Sequence, residues 1–237
     1  MKYLDLTLPT PAENLACDEA LLDFCEETGG GEILRVWEPA QYFAVVGYAN
    51  KVDVEVNREK CRAQGIPILR RCSGGGTVLQ GPGCLNYSLV LDFSKNDLLQ
   101  TITQANRVIM ERQRQSLKNL VNADIGIEGH TDLAIAGIKF SGNAQRRRKN
   151  FLLFHGVFLL EFEIPLIEEL LKMPSKQPDY RANRSHEKFL TNLHRPVEEL
   201  KQALRCGWNA SEKLESIPDL SKLVQEKYLR EDWNFKF

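Results

Sequence analysis

Three short segments of this chain hold residue types that could do chemistry. In Arg70-Arg71-Cys72-Ser73-Gly74-Gly75-Gly76-Thr77, adjacent glycines permit unusual backbone angles and let a ligand approach main-chain N–H groups with no Cβ in the way. The two arginines at the end of the preceding strand add fixed positive charge, so the segment suits a carboxylate or a phosphate; a plain glycine turn is the alternative. It is not a Walker A loop, because no Gly-Lys-Ser/Thr follows at the required spacing, and it is not a GxGxxG helix start, because Thr77-Val78-Leu79 reads as strand. The second segment, Gly129 to Gly142, carries Asp132 and Lys139. With Gly137 as a hinge these two lie on facing strands. A carboxylate that holds Mg²⁺ or an amine, beside an ammonium that neutralises an α-phosphate, is what activation of an acid by ATP uses. An exposed strand lysine is the plainer reading of Lys139. In the third segment, Phe154-His155-Gly156, the histidine is either a hydrogen-bonded structural residue or a ligand contact. Between the second and third, Arg146-Arg147-Arg148-Lys149 reads as a solvated loop or as a rim that steers ATP or an acidic partner. Aromatic interleaving is absent, so it does not read as a nucleic-acid surface.

The elements that must position these groups follow from pattern. Thr10-Pro11-Ala12-Glu13 reads as a capping box opening a helix that presents Cys17, Ala20, Leu21, Phe24 and Cys25 on one stripe and stops at Gly29-Gly30-Gly31. Short strands are expected at 33–37 and 43–46, a helix from about Asn57 to Gln64, and a strand from Ile66 to Arg71 running into the glycines. Thr77 to Gln80, a Gly81-Pro82-Gly83 turn and Leu85 to Leu91 follow, with Leu85, Tyr87, Leu89 and Leu91 on one face. Leu98, Ile102, Ala105, Ile109, Arg112, Ser116 and Leu120 recur at helical spacing, which predicts a long helix over roughly 97–121. Leu133 to Ala136 and Ile138 to Ser141 form a strand pair, and Phe154 to Phe162 another strand. Met173 to Arg195 is polar without a period and reads as a crossing linker; Pro196 to Phe237 reads as two short helices, about 197–205 and 219–229. The domain expectation is therefore 1–195 as the catalytic unit and 196–237 as a short helical tail packed on it. Strands clustered between helices give an α+β fold, not strict βαβ alternation.

The chain has 237 residues with 31 Lys+Arg against 32 Asp+Glu, a net charge of -1, which argues against a general nucleic-acid coat. No apolar run approaches the roughly 18–20 residues of a membrane span, and the N-terminus carries an acid at once with no apolar stretch behind it, so a cytoplasmic protein is expected. The six cysteines are scattered, with no CxxC pair and no Cys/His ligand spacing, and are expected as reduced thiols in or near the core.

Taken in order, these segments resemble the lipoate–protein ligase branch of the biotin/lipoate ligase family. Asn14-Leu15-Ala16-Cys17-Asp18-Glu19-Ala20-Leu21-Leu22 looks like its opening helix, Arg70-Arg71-Cys72-Ser73-Gly74-Gly75-Gly76 like its lipoate loop, and Asn86-Tyr87-Ser88 falls in the strand after it. Gly129-His130-Thr131-Asp132-Leu133 and Gly137-Ile138-Lys139-Phe140-Ser141-Gly142-Asn143-Ala144 look like the G-x-x-D-L … G-x-K-x-S-G-x-A signature, followed by His155-Gly156 and Leu190-Thr191-Asn192-Leu193. The resemblance runs from about residue 14 to 233. It implies a mixed, largely antiparallel sheet flanked by helices, the class II synthetase-like fold. It also implies a two-step reaction: lipoate and MgATP give lipoyl-adenylate, and a lysine of a lipoyl domain attacks the mixed anhydride. The acceptors implied are glycine-cleavage H protein and 2-oxoacid dehydrogenase subunits. Lys139 matches the essential lysine. Arg70, Arg71, Ser73, Gly74, Gly75, Gly76, Thr77, Asn86, His155 and Gly156 match substrate-binding positions. Asp132, Lys139, Ser141, Gly142 and Ala144 match nucleotide-binding positions, with Asp132 also the candidate Mg²⁺ ligand.

Two departures stand out. Ligases often carry His-Asp where this chain has Gln80-Gly81-Pro82-Gly83, which is closer to the octanoyltransferases, enzymes that move octanoyl from a carrier protein without ATP through a thiol. No cysteine occurs between Cys84 and Cys206, so neither transferase nucleophile position is filled. ATP-dependent ligase is therefore the first reading, a cysteine-dependent octanoyl or lipoyl transferase the second, and a non-catalytic lipoyl-domain binder the third. The tail is also shorter than the accessory domain some ligases carry, which leaves room for a separate accessory subunit.

Overall fold

The computed structural model describes residues 1–237. Its strands are β1 (Lys2–Asp5), β2 (Ile33–Trp37), β3 (Phe43–Val46), β4 (Ile68–Arg70), β5 (Val78–Gln80), β6 (Cys84–Asp92), β7 (Ile125–Glu128), β8 (Asp132–Ile135), β9 (Ile138–Arg147), β10 (Phe151–Leu159) and β11 (Glu212–Lys213). Its helices are α1 (Pro11–Thr28), α2 (Val52–Glu55), α3 (Arg58–Ala63), α4 (Ile102–Leu117), α5 (Ile164–Leu170), α6 (His186–Phe189), α7 (Val197–Gly207), α8 (Ser221–Leu223), which runs on into a π-helical turn Val224–Tyr228, and α9 (Glu231–Asn234). An eight-stranded sheet runs β11-β1-β2-β6-β10-β9-β8-β7, and a three-stranded sheet runs β4-β3-β5. Pairing is antiparallel except at β1–β2, β1–β11 and β3–β4, so the sheet is mixed and largely antiparallel with helices on its faces.

Alternation along the strands sorts side chains between two covers. Leu34 and Val36 of β2, the four odd-numbered residues Leu85 to Leu91 of β6, and Phe154 and Phe158 of β10 join α4 and α7 in one core. Ile33, Val90, Phe151 and Leu153 point the other way, onto Cys17, Leu21, Leu22 and Cys25 of α1. The same period sends Arg35, Ser88 and His155 to the α1 face, which makes that face the polar one. α1 starts as its sequence dictates: the Thr10 side chain accepts from Glu13 N–H, Glu13 reaches back to Thr10 N–H, and Gly29 closes the helix at φ 66°.

Several expectations need correction. α4 begins only at its Thr101 cap, and Leu98 and Ile102 are 59% and 57% exposed; the buried seam is Ala105, Ile109, Gln113 and Leu117. Gln113 hides that seam from a hydropathy reading, and it is buried because Trp208 Nε1 donates to its Oε1 at 2.8 Å. The Arg146–Lys149 run is no solvated loop. Arg146 and Arg147 end β9, with Arg147 donating to the Leu99 and Gln100 carbonyls, and Arg148 pairs with Asp23 at 2.7 Å. β1, β7, β11, α2 and α5 are elements the sequence pattern did not disclose. The tail forms α7, which packs on α4, and the π-helical turn after α8, whose Val224 and Tyr228 pack on α1.

Candidate active site

A cavity of about 840 Å³ opens on the polar face of the large sheet, where it meets the small sheet. Its walls are the glycine loop between β4 and β5, the β8–β9 hairpin, the middle of β10, and the chain from Lys172 to Leu190. Arg71, Gly75, Gly76, Thr77, Asn86, Asp132, Lys139, Ser141, Gly142, Ala144, His155 and Gly156 all line it, so twelve of the fifteen sequence-assigned positions converge.

Arg70, Ser73 and Gly74 do not line it. Adjacent strand residues face opposite sides, and Arg70 points into the protein. Its guanidinium is fully buried among the carbonyls of Gly47, Tyr48, Asn50, Trp233 and Asn234. Arg70 is therefore a structural clasp and not a substrate contact. Arg71 shapes the loop. Its Nη2 donates to the Gly74 carbonyl at 2.6 Å and the Gly76 carbonyl at 2.7 Å, and its Nε to Ser73 Oγ at 3.1 Å. Burial lowers the Arg71 pKa to about 10, so it stays charged at neutral pH. With the carbonyls taken by Arg71, the N–H groups of Gly74, Gly75, Gly76 and Thr77 donate to nothing in the protein. Gly75 holds φ 87°, and Gly47 is required beneath it, because a Cβ there would fall 2.1 Å from the Gly75 carbonyl oxygen.

On the opposite wall, Ala136 and Gly137 take φ 50° and 73° in a two-residue hairpin turn that sets β8 against β9. The hairpin brings Lys139 Nζ within 2.8 Å of Asp132 Oδ1, while Tyr180 O–H donates to Asp132 Oδ2 at 2.7 Å. Burial first, and the Asp132 charge second, raise Tyr180 well above an ordinary phenol, so it keeps the proton it donates to Asp132. Gly142 makes room for the lysine: a Cβ there would lie 2.6 Å from Lys139 Nζ. Gly156 does the same for Asn143, which accepts from Tyr87 O–H at 2.6 Å and donates to the Thr131 carbonyl at 2.6 Å. Ser141 Oγ and Asn86 Nδ2 are buried with no hydrogen-bond partner in the protein.

His155 sits in a buried chain. Its Nε2 is 2.5 Å from Ser73 Oγ and its Nδ1 3.4 Å from Asp18 Oδ2, and Asp18 pairs with Arg35 at 2.6 Å. Burial works to raise the Asp18 carboxyl; Arg35, together with the hydrogen bond from His155, outweighs it and holds the group below its ordinary value.

None of the six cysteines lines the cavity. Burial pushes Cys72 and Cys84, the two nearest in sequence to the loop, up to about 12, which leaves them as inert thiols at neutral pH. The residues here form no cage for a resident ion, and a Mg²⁺ at Asp132 would need its remaining ligands from a nucleotide. No group of three or more His, Cys, Asp or Glu side chains is placed to hold an ion, and both Asp132 oxygens are already engaged. Sequence reasoning missed the Lys172–Leu190 wall, which was expected as a linker. It carries Tyr180 onto Asp132, and Arg184 braces the hairpin through the Gly137 carbonyl at 3.0 Å. Thr191, in the Leu190–Leu193 motif, donates to the Lys139 carbonyl, and that motif was the one available signal.

A family model described as the lipoyl protein ligase A/B catalytic domain matches residues 10–208. Among curated relatives, octanoyltransferase LipM of Geobacillus kaustophilus (strain HTA426) is 28% identical, over 99% of this chain and 98% of that protein. Octanoyltransferase LipM of Bacillus subtilis (strain 168) is 26% identical, with the same coverages. Among solved structures, a bipartite lipoate protein ligase studied with its E2 lipoyl domain from Thermoplasma acidophilum superposes with a TM-score of 0.82 at 25% identity, over 99% of this chain and 96% of that one. A lipoate-protein ligase A bound with ATP gives 0.79 at 24% identity, over 99% of each chain, a likeness of fold. No helix here is long and apolar enough to cross a membrane.

Proposed function

The chain belongs to the lipoyl protein ligase A/B catalytic domain family, the enzymes that ligate or transfer lipoyl and octanoyl groups, and from that premise we propose that it forms an acyl-amide on a lipoyl-domain lysine with no cysteine acyl-enzyme on the way. One observation carries the reading: the Lys139–Asp132 pair faces a loop of unengaged N–H groups across a cavity that no thiol lines. Such a site supplies proximity and charge. Free N–H groups and the Lys139 ammonium stabilise negative charge on the acyl oxygen and its leaving group, while the acceptor amine attacks the acyl carbon and the leaving group departs. Arg71 takes part only by holding the loop open.

The donor divides two readings. A mixed acyl-phosphate anhydride made from the free acid and ATP suits a site whose cations and N–H groups favour phosphate and carboxylate oxygens; Mg²⁺ would then arrive with the nucleotide as part of the substrate. A carrier-bound thioester is favoured by the curated relatives, which bear an octanoyltransferase name. In that case the acceptor lysine would attack the thioester directly, because no protein thiol is at hand. The H protein and 2-oxoacid dehydrogenase lipoyl domains are the acceptors proposed.

Intact-mass analysis of a purified lipoyl domain tests both, with lipoate and MgATP in one arm and octanoyl-acyl carrier protein without nucleotide in the other. Modification is expected in one arm and lost by on the order of 10²–10³-fold in Lys139→Ala, with Cys72→Ala and Cys84→Ala still active. An acyl group trapped on a cysteine of this chain, or no modification in either arm, would sink the proposal.

A further inference from the structure

The buried chain Arg35–Asp18–His155–Ser73–Arg71 runs from the core beneath α1 to the glycine loop, and its proton inventory has one complete solution. Arg71 Nε can only donate, so Ser73 Oγ accepts there at 3.1 Å. Asp18, ionised against Arg35, can only accept, so the ring proton of His155 nearest to it is on Nδ1. Ser73 Oγ has no other acceptor within reach, so its own proton goes to His155 Nε2. The opposite tautomer would turn a bare Nδ1 toward a carboxylate and leave the Ser73 proton without an acceptor. An imidazolium would donate to Ser73 Oγ through Nε2 and leave the Ser73 proton with no acceptor in a site where Ser73 is wholly buried.

We propose that His155 is a positioning residue: fixed by Asp18 as the neutral Nδ1–H tautomer, it accepts from Ser73 and thereby holds Arg71 and the glycine loop in the shape in which Gly75, Gly76 and Thr77 line the cavity with their N–H groups unengaged. His155 is among the cavity-lining residues, but both its ring nitrogens are engaged, by Ser73 and Asp18, and it serves the ligand site through Ser73. The far end of the chain is rigid enough for this. Arg35 is fully buried and also donates to the carbonyls of Leu6 and Asn14 and to Asn14 Oδ1 at 3.0, 2.9 and 2.6 Å. The inference rests on the proposed acyl-binding role only for the meaning of the loop's shape; the tautomer and the loop's order are independent of it.

The test uses the full chain with ¹⁵N-labelled histidine, together with octanoate binding by calorimetry and amide hydrogen exchange at Tyr48, whose N–H donates to the Ser73 carbonyl at 2.8 Å and so reads the order of the loop. At neutral pH the His155 resonances are expected to show a protonated Nδ1 and an unprotonated Nε2. His155→Gln, whose amide oxygen can stand in for Nε2, is expected to keep Tyr48 protection and octanoate affinity within a few-fold. His155→Leu and Ser73→Ala are expected to raise Tyr48 exchange and weaken octanoate about tenfold or more, the cost of stranding a buried polar partner. An Nε2–H tautomer or an imidazolium in the wild type overturns the inference even if every variant fails to fold. So does unchanged Tyr48 exchange in a folded His155→Leu protein. Failure of the wild type to bind octanoate at all, with the tautomer and the exchange pattern as expected, counts against the acyl-site reading and leaves the positioning role standing.

Discussion

Gly142→Ala is expected to spare the fold and disable the site. A Cβ at residue 142 would lie 2.6 Å from Lys139 Nζ, 2.8 Å from Lys139 Cε and 3.5 Å from Asp132 Oδ1. Non-bonded carbon and nitrogen atoms settle at roughly 3.5 Å, so the ammonium must retreat by about 1 Å from its 2.8 Å contact with Asp132. That movement is cheap in stability. It occurs at the tip of a flexible side chain, in a pair whose members are 21% and 14% exposed, and weakening such a pair costs on the order of 1 kcal/mol. In a chain of this size that amounts to about 2–4 °C in Tm. The same displacement is expensive in rate, because a misplacement of about 1 Å costs on the order of 100-fold, or roughly 2.7 kcal/mol of barrier. Lipoyl-domain acylation followed by intact mass gives kcat/KM, and a thermal melt gives the stability. Wild-type kcat/KM in the variant would show that the ammonium's position does not matter. A melting point lowered by about 10 °C or more would show that the methyl group is absorbed by the backbone instead. Either result refutes the reasoning.

Gly156→Ala should behave in the opposite way. Its Cβ would fall 1.7 Å from Asn143 Oδ1 and 2.8 Å from the Gly142 carbonyl oxygen, an overpacking of about 1–3 kcal/mol, read as a melting point lower by roughly 3–10 °C. A thiol reagent applied to the native protein should modify the exposed Cys206 alone, and all six cysteines after denaturation, because burial holds Cys17 up at about 11 and Cys25, Cys72 and Cys84 at about 12. Mass mapping decides that; rapid native labelling at Cys72 or Cys84 would reopen a thiol mechanism. The Asp18 carboxyl is held below its ordinary 3.8, so the unfolded chain binds that proton more readily than the native one. Its contribution is present above about pH 4 and is lost as pH falls through the native value. Urea midpoints measured between pH 3 and 7 should therefore rise more steeply in the wild type than in Asp18→Asn, and parallel curves would contradict the assignment.

Much of this was legible because the responsible chemistry is local. Thr10, Pro11 and Glu13 specify a helix start within four residues, and Gly137 permits the left-handed backbone a tight hairpin needs, so α1 and the Lys139–Asp132 hairpin could be drawn from sequence, although Ala136 sharing that turn at φ 50° could not. What escaped depends on distant partners. Gln113 reads as surface until Trp208 arrives to bond it. Arg70 and Arg71 are neighbours of one type, and only the tertiary environment reveals that one clasps the C-terminal segment while the other shapes the loop. The Lys172–Leu190 wall is built from short turns with left-handed Ala182 and Asn183 and from side chain-to-backbone bonds, none of which leaves a period. His155 was visible as a candidate, but its role lies in Ser73 and Asp18, 82 and 137 residues away in sequence.

The Arg70 clasp also dictates an order of events during synthesis. Its backbone N–H donates to Asn234 and its guanidinium to the Trp233 and Asn234 carbonyls, bonds that span 163 and 164 residues. Until those residues emerge from the ribosome, the strand carrying the glycine loop holds a cation whose burial is only partly compensated. The large sheet is itself closed late, by β11 on β1 and by Lys227 and Tyr228 on Glu19, the latter 208 and 209 residues apart, so the ligand loop locks together with the cover on α1. A break just before α9 would take away the Trp233 and Asn234 carbonyls, two of the five around the Arg70 guanidinium, and slacken the strand that carries the loop.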